Sequence, residues 1–502
     1  MERGELIDQV VSGAVVACAA ASAALVLGWW LRSGPEPGLR PRVALTPPEL
    51  ASLSSPDPRR GSLPVDLRGR FAAAAGIPLP VTGSWPRFRG AAFDNVSPET
   101  VPLAAGWGAG GPPVLWSIDV GEGHAGPAVH EGRVYLLDYD EREESDALRC
   151  LSLADGREIW RRWYRTGAKR NHGISRTVPA VSGGRVVSIG PRCHVLCVDA
   201  VNGQYLWGID LAREYGAAEP LWYAAQHPLI DGDTVVLAPG GSALLIGVDA
   251  GTGRVLWQTP NPRGWKMSHS SVVPLTVDGQ RMYVYAALGG LVGVTAGGPR
   301  AGSILWETPE WNHSVVAPTP VILEGGRLLV TAGYGVGSAL FQVRSEGGSW
   351  RADLVRRFGR EEFACEQQTP VFFRGHLFTV MPKDGGALRE QFVCMGADGR
   401  PRYGSGKEAR YGLGPFLVAD DKVYILSDEG ELTVARASTE EFLPLWSGRV
   451  LDGKDAWGPM AIADGRLLLR DSRRLVCLDA RAQAGTLPAR AARTERNPDA
   501  AL

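Results

Sequence analysis

Four histidines recur at one point in the chain's punctuation. His124, His172, His269 and His313 each stand a few residues before a short apolar run, in Gly123-His-Ala, Asn171-His-Gly, Ser268-His-Ser and Asn312-His-Ser. Tyr223 holds the same place once, and Glu366 with Gln367 hold it once more. Imidazole ligates metals when neutral and attracts anions when protonated, so side chains of these types converging on one point would bind a metal or an anionic ligand. The alternative is structural: imidazoles that satisfy loop backbone groups at the rim of a channel. Which holds depends on whether the fold brings the positions together, because spacing across separate segments does not fix ligand geometry.

Other chemistry-bearing patterns are incomplete. Gly404-Ser-Gly-Lys407 lacks the upstream glycine and the Ser/Thr of a phosphate-binding loop, and Gly333-Tyr-Gly-Val-Gly337 does not lead into a helical pattern. No Gly-x-Ser-x-Gly elbow, His-Glu-x-x-His or Cys-x-x-Cys occurs. Four of the cysteines, Cys150, Cys197, Cys394 and Cys477, occupy the same place in successive repeats, as in Leu148-Arg-Cys150-Leu, Val195-Leu-Cys197-Val and Leu475-Val-Cys477-Leu. A free cysteine is a small hydrophobe that suits a tightly packed strand, so these four read as core. A formal net charge of −1 gives no basis for a polyanionic partner such as nucleic acid.

The elements that must position these residues are repeats. Cys197-Val-Asp-Ala-Val-Asn-Gly-Gln-Tyr-Leu-Trp207 reads as a strand, a tight Asp/Asn/Gly turn and a second strand closed by an aromatic. It returns as Gly247-Val-Asp-Ala-Gly-Thr-Gly-Arg-Val-Leu-Trp257 and, shortened, as Leu151-Ser-Leu-Ala-Asp-Gly-Arg-Glu-Ile-Trp160. The turn glycine precedes the aromatic by four residues in Gly156/Trp160, Gly203/Trp207, Gly253/Trp257, Gly302/Trp306 and Gly399/Tyr403. Repeats of this period mean an array of identical supersecondary units. Eight openings run from Gly126-Pro127 to Gly458-Pro459, and eight aromatic closures are Trp116, Trp160, Trp207, Trp257, Trp306, Phe358, Tyr403 and Trp446. The two series are offset: Trp116 has no opening before it, and the last opening meets no closing aromatic. Joining the two ends makes one blade from both termini, which predicts an all-β, eight-bladed β-propeller over residues 85–480 with no free sheet edge.

Outside the repeats, residues 1–9 are polar and residues 10–31 carry no charge. At about 1.5 Å per residue the second segment is long enough for a hydrocarbon core of about 30 Å, which predicts an uncleaved single-pass transmembrane helix. Residues 32–84 are rich in Pro, Arg, Ala and Ser and read as a disordered spacer, with a short helix over 65–75; residues 481–502 read as a loose tail. Arg32, Arg40 and Arg42 after the span, against Arg3 before it, would place the bulk of the chain in the cytoplasm.

The Asp-Ala-x-x-Gly-x-x-x-Trp unit resembles the tryptophan-docking motif of quinoprotein-type (PQQ-like) propellers, and the likeness covers about residues 85–480. Trp85-Pro-Arg-Phe-Arg-Gly90 with Val96-Ser-Pro-Glu99 resembles the opening motif of many bacterial members. The resemblance implies that Trp116, Trp160, Trp207, Trp257, Trp306 and Trp446 pack across to the neighbouring blade. It also implies an extracytoplasmic head, against the charge bias, and that reading is the expectation. Family enzymes are alcohol and sugar dehydrogenases that hold pyrroloquinoline quinone and calcium beside an adjacent cysteine pair. This chain has no adjacent cysteines, and the family's Glu, Asn and Asp calcium ligands have no matching positions. The expectation is a membrane-anchored protein-binding scaffold without a cofactor, similar in layout to the outer-membrane barrel-assembly propeller lipoprotein. The alternatives are a quinone- or metal-dependent oxidoreductase, and a carbohydrate-binding module using Trp222, Trp265 and Trp311 as sugar platforms.

Overall fold

Eight antiparallel sheets carry the repeats in the computed structural model, which describes residues 64–482 and a few helical residues between 17 and 25. Strands follow one another in sequence order within each sheet except in two: blade 1, where Arg70–Ala73 is added beside Glu158–Arg165, and the last, which runs Val114–Asp119, Arg474–Asp479, Arg466–Arg470, Ala461–Ala463. There Trp116 faces Cys477 and Asp119 faces Arg474, so the first closing strand completes the eighth blade and shuts the ring. The eight-bladed propeller expected from the offset count is the observed fold.

The reason for the cysteines appears in the register. On the third strand of its blade, each of the four stands opposite the closing aromatic: Cys150 and Trp160, Cys197 and Trp207, Cys394 and Tyr403, Cys477 and Trp116. Two blades use glycine instead, Gly247 opposite Trp257 and Gly293 opposite Trp306. The pairing slips at this point in each of these blades, and such a bulge re-aims a side chain. The ring then lies over the turn glycine of the next blade: Trp116 over Gly156, Trp160 over Gly203, Trp207 over Gly253, Trp257 over Gly302. The indole N–H groups of Trp116, Trp160 and Trp207 donate to Leu153, Ala200 and Ala250 carbonyls across the blade boundary. Trp306 differs, its N–H pointing to Met282 Sδ. Trp446 lies against Gly106 and Trp107, because the strand it meets is preceded by residues 106–111 and not by a repeat turn.

Two expectations change. Residues 65–75 do not form a helix: Arg70–Ala73 is a fifth strand on blade 1, pairing with Glu158–Arg165. Phe71 packs near the Arg162 guanidinium and beside Gly203, an anchorage that an isolated reading of Arg-Phe-Ala-Ala does not reveal. The end of the expected spacer is therefore ordered onto the disc. The transmembrane expectation for residues 10–31 falls almost wholly outside the described residues, as do the tail from 483 onward and residues 1–9. Among the described residues no helix is long and apolar enough to cross a membrane.

Gly253 adopts φ +71°, and a Cβ there would lie 2.7 Å from the Trp207 ring. Gly253→Ala therefore adds backbone strain to a blocked docking seat. It should lower unfolding free energy by roughly 1–3 kcal/mol, read as a shift in the urea midpoint. The six described cysteines are buried and unpaired, and burial raises their pKa values, to about 12 at Cys197 and Cys477. A thiolate is the reactive species. All six should thus resist an alkylating reagent until the chain is unfolded, as peptide mass mapping would show.

Candidate functional site

The segment before each innermost strand enters the channel from the same end of the disc. Neighbouring segments pair as they do so: His124 N–H donates to Ser175 C=O and Ile174 N–H to Glu122 C=O, while His269 N–H donates to Val316 C=O. From there a belt of hydrogen bonds runs blade to blade around the channel. Val178 N–H donates to His227 Nδ1, His227 N–H to Ser271 Oγ, Ser271 N–H to Thr319 Oγ1, and Thr319 N–H to Thr369 Oγ1. In blades 7, 8 and 1 the residue before the opening proline is glycine, Gly414, Gly458 and Gly126. Arg470 packs against Gly458, fully buried, and its guanidinium donates to the carbonyls of Ala125, Gly121 and Ser472.

The other end of the channel is spanned by the segment that contains Trp85-Pro-Arg-Phe-Arg-Gly90. Trp85 pairs with Val129 of blade 1, and Pro86 C=O accepts from Val181 N–H of blade 2. Arg87 donates to Ile230 C=O of blade 3. Buried Arg89 donates to Thr369 and Pro370 carbonyls at blade 6. Asn95 and Ser97 hydrogen-bond Val418 of blade 7. Phe88 stacks on His227, ring centroids 3.8 Å apart.

Between the plug and the mouth lies a cavity of about 110 Å³, with Phe88 and His227 among its lining residues. Four of the sequence-predicted side chains meet there: His124, His269, Glu366 and Gln367. The other three do not. His172 is exposed and contributes its carbonyl, which accepts from His124 Nε2 and Arg176 Nη2. Tyr223 turns away and donates to Lys169 C=O. His313 packs edge-on against Trp311, 4.5 Å between centroids. Among the described residues no three His, Cys, Asp or Glu side chains gather as a metal-ligand set. Of the three candidate sugar platforms, Trp265 and Trp311 are buried packing residues and Trp222 alone lines the cavity.

Sequence reading missed Arg176, His227, Tyr334 and Trp457, which also line the cavity. Trp457 stands immediately before its blade opening and Arg176 two residues before its own, so attention to position near the openings, and not to residue type, would have found them. Tyr334 lies in the glycine-rich loop set aside as a failed nucleotide motif. Trp222 and Tyr334 stack, 6.0 Å between centroids and 21° between planes. Both have left-handed backbones, φ 64° and φ 57°. Large side chains rarely adopt that region, and such strain collects at functional sites.

The electrostatics are lopsided. Burial pushes His124 and His227 down to about 3 and His269 to about 4, so all three are neutral at pH 7. Burial also lowers Arg176, to about 10, which leaves it charged. Among the described residues Arg176 makes no ion pair: Nη2 donates to the Asn171, His172 and Gly173 carbonyls, and Nε is enclosed without a partner. His124 Nδ1 and Trp457 Nε1 are likewise buried and unpartnered. Burial raises the Glu366 carboxyl, reinforced by Asp384.

Residues 143–387 match the family model described as outer membrane protein assembly factor BamB. Over that stretch the chain is similar to the PQQ-like propellers. No curated protein sequence matches it significantly. Among solved structures it is similar to the quinohemoprotein alcohol dehydrogenase from Comamonas testosteroni, at 12% identity and a TM-score of 0.56, covering 80% of this chain and 81% of that one. A europium-containing methanol dehydrogenase aligns at 12% identity and a TM-score of 0.53, covering 77% and 89%. The computationally designed Ika8 protein aligns at 11% identity and a TM-score of 0.50, covering 73% and 99%. At these identities the likeness is one of fold. The cavity of about 110 Å³ is smaller than the roughly 150 Å³ that encloses a single benzene ring, so a three-ring quinone would have to extend beyond it.

His227→Asn keeps an acceptor for Val178 N–H but removes the titrating ring. Because His227 folds with a pKa near 3 against about 6.5 unfolded, the wild type loses this group's contribution as pH falls from 6.5 toward 3. The stability gap between wild type and variant should therefore narrow on acidification, by up to about 1.4 kcal/mol per pH unit, in urea titrations at pH 7, 6 and 5.

Proposed function

We propose that this propeller is a non-enzymatic binding scaffold, held at a membrane by residues 10–31 with its head outside the cytoplasm, and that the channel mouth is its recognition end. The observation that carries the binding assignment is the set of enclosed, unpartnered polar atoms on Arg176, His124 and Trp457, around a cavity flanked by the strained Trp222 and Tyr334. Buried polar groups are normally satisfied within the fold, and the side chains that bear these unpartnered atoms line one cavity, which supports an external partner there. A disc closed on itself presents mouth loops rigidly, and binding through them needs no catalytic group. The matched family model, described as an assembly factor, supports protein partners in general. The charge-free run supports the anchor, and the family resemblance supports the outward head.

Crosslinking from native membranes, with wild type and a Trp222→Ala/Tyr334→Ala double variant, tests the reading. A partner recovered by the wild type and lost by the double variant is the expected result. Equal recovery would move recognition elsewhere on the disc. A quinone in the native mass spectrum, with dye reduction on alcohols or sugars, would replace the scaffold with an oxidoreductase. Protease accessibility in intact cells reports which side the head occupies.

A further inference from the structure

The cavity has a definite chemical bias. It holds one permanent cation, Arg176, and its three histidines are uncharged at neutral pH. Arg176 and His124 are fixed side by side, since both donate to the His172 carbonyl. The orphaned Arg176 Nε and Trp457 Nε1 are both N–H donors. The lining also holds the apolar side chains of Phe88, Ala225, Val315, Ala317 and Pro459, interspersed with the uncharged amides of Gln367 and Gln368. A single cation favours a monoanion over a dianion such as phosphate, and the apolar side chains favour an anion with a hydrocarbon body. An enclosed guanidinium is suited to a carboxylate.

We propose that the channel mouth binds a small carboxylate-bearing molecule, its carboxylate on Arg176 and Trp457 and its apolar body against Val315 and Ala317. The cavity of about 110 Å³ suits roughly four to five non-hydrogen atoms, by comparison with the roughly 150 Å³ that holds the six carbons of benzene. The proposal rests on the channel mouth being the recognition end, and it names the chemistry recognised there. Glu366 lines the same cavity with its carboxyl raised by burial and by Asp384, so the carboxylate must lie close enough to Arg176 for the guanidinium to outweigh it.

Sodium propanoate, propanamide and sodium sulfate, each titrated into the full-length protein at constant ionic strength, separate the possibilities. Thermal midpoint and calorimetric heat are the readouts. Propanoate should give a saturable rise in midpoint, propanamide and sulfate none. Arg176→Gln should weaken propanoate at least tenfold. Because Arg176 also holds three backbone carbonyls, Ala317→Leu serves as a second variant. It narrows the cavity without touching the cation and should abolish the propanoate response while the circular dichroism spectrum stays unchanged. Equal response to propanamide, an equal or stronger response to sulfate, no saturable response to propanoate, or full binding by both variants would each overturn the assignment. These outcomes are independent of the crosslinking experiment, so loss of the carboxylate site would leave a recovered protein partner standing.

Discussion

The pairing of Val114–Asp119 with Arg474–Asp479 is the constraint on which the rest of the molecule depends. A row of twisted sheets without it would have two open ends, each with unpaired backbone donors and acceptors. Closure removes the ends and also fixes the angle between successive blades, since eight sheets must return to the first. That angle aims eight separate loops at one axis. His124 and Glu366, more than two hundred residues apart, line the same cavity for this reason alone. Closure also accounts for the exception among the docking tryptophans: the blade assembled from both termini has no repeat turn for Trp446 to cover, and Gly106 with Trp107 takes its place.

Around the axis the eightfold pattern is deliberately uneven. Blades 2 to 6 are linked by side-chain acceptors on the belt, whereas blades 7, 8 and 1 carry glycine there. The buried Arg470 occupies the space so released, using its guanidinium as a many-armed donor to backbone carbonyls. Arg89 does the same from the plug. Both arginines are buried without an ion-pair partner among the described residues, and both have their charge distributed over carbonyl oxygens. Arg176 differs from them in one respect: its enclosed Nε has no acceptor. Arg87, on the plug, shares that unpartnered Nε, but of the two it is Arg176 that lines the cavity.

The fold was legible because its signals are local and repeated. A glycine four residues ahead of an aromatic states both the turn and the seat for the neighbouring ring, and the offset between openings and closures states the closure. The site was half legible. Histidine was a sound guide where the imidazole follows its backbone into the channel, at His124 and His269. It failed at His172 and His313, where left-handed or edge-on local packing sends the ring elsewhere and residue type carries no record of that. Arg176 and Trp457 went unseen because their significance is an absence of partners, which only coordinates reveal. The plug was visible as a motif but not as a plug: its contacts run to inner-strand positions of several different blades. The strand Arg70–Ala73 went unread for a similar reason, having one face on blade 1 and no pattern of its own.

The strained backbone at the mouth bears on what the site is for. Trp222 and Tyr334 come from different blades, and each would gain by relaxing out of the left-handed region at a cost of about 1–2 kcal/mol while held there. Tyr334 is 47% exposed, so little core packing is gained in return. A propeller loop could reach the same point with glycine or asparagine, residues that tolerate this conformation. Glycine at those positions would remove the aromatic pair from the cavity wall while making the loops easier to form. That the chain keeps the rings despite the strain argues that the mouth is shaped for contact and not for stability. The rigid ring behind it holds that shape without a ligand present, which lowers the ordering cost that binding must otherwise meet.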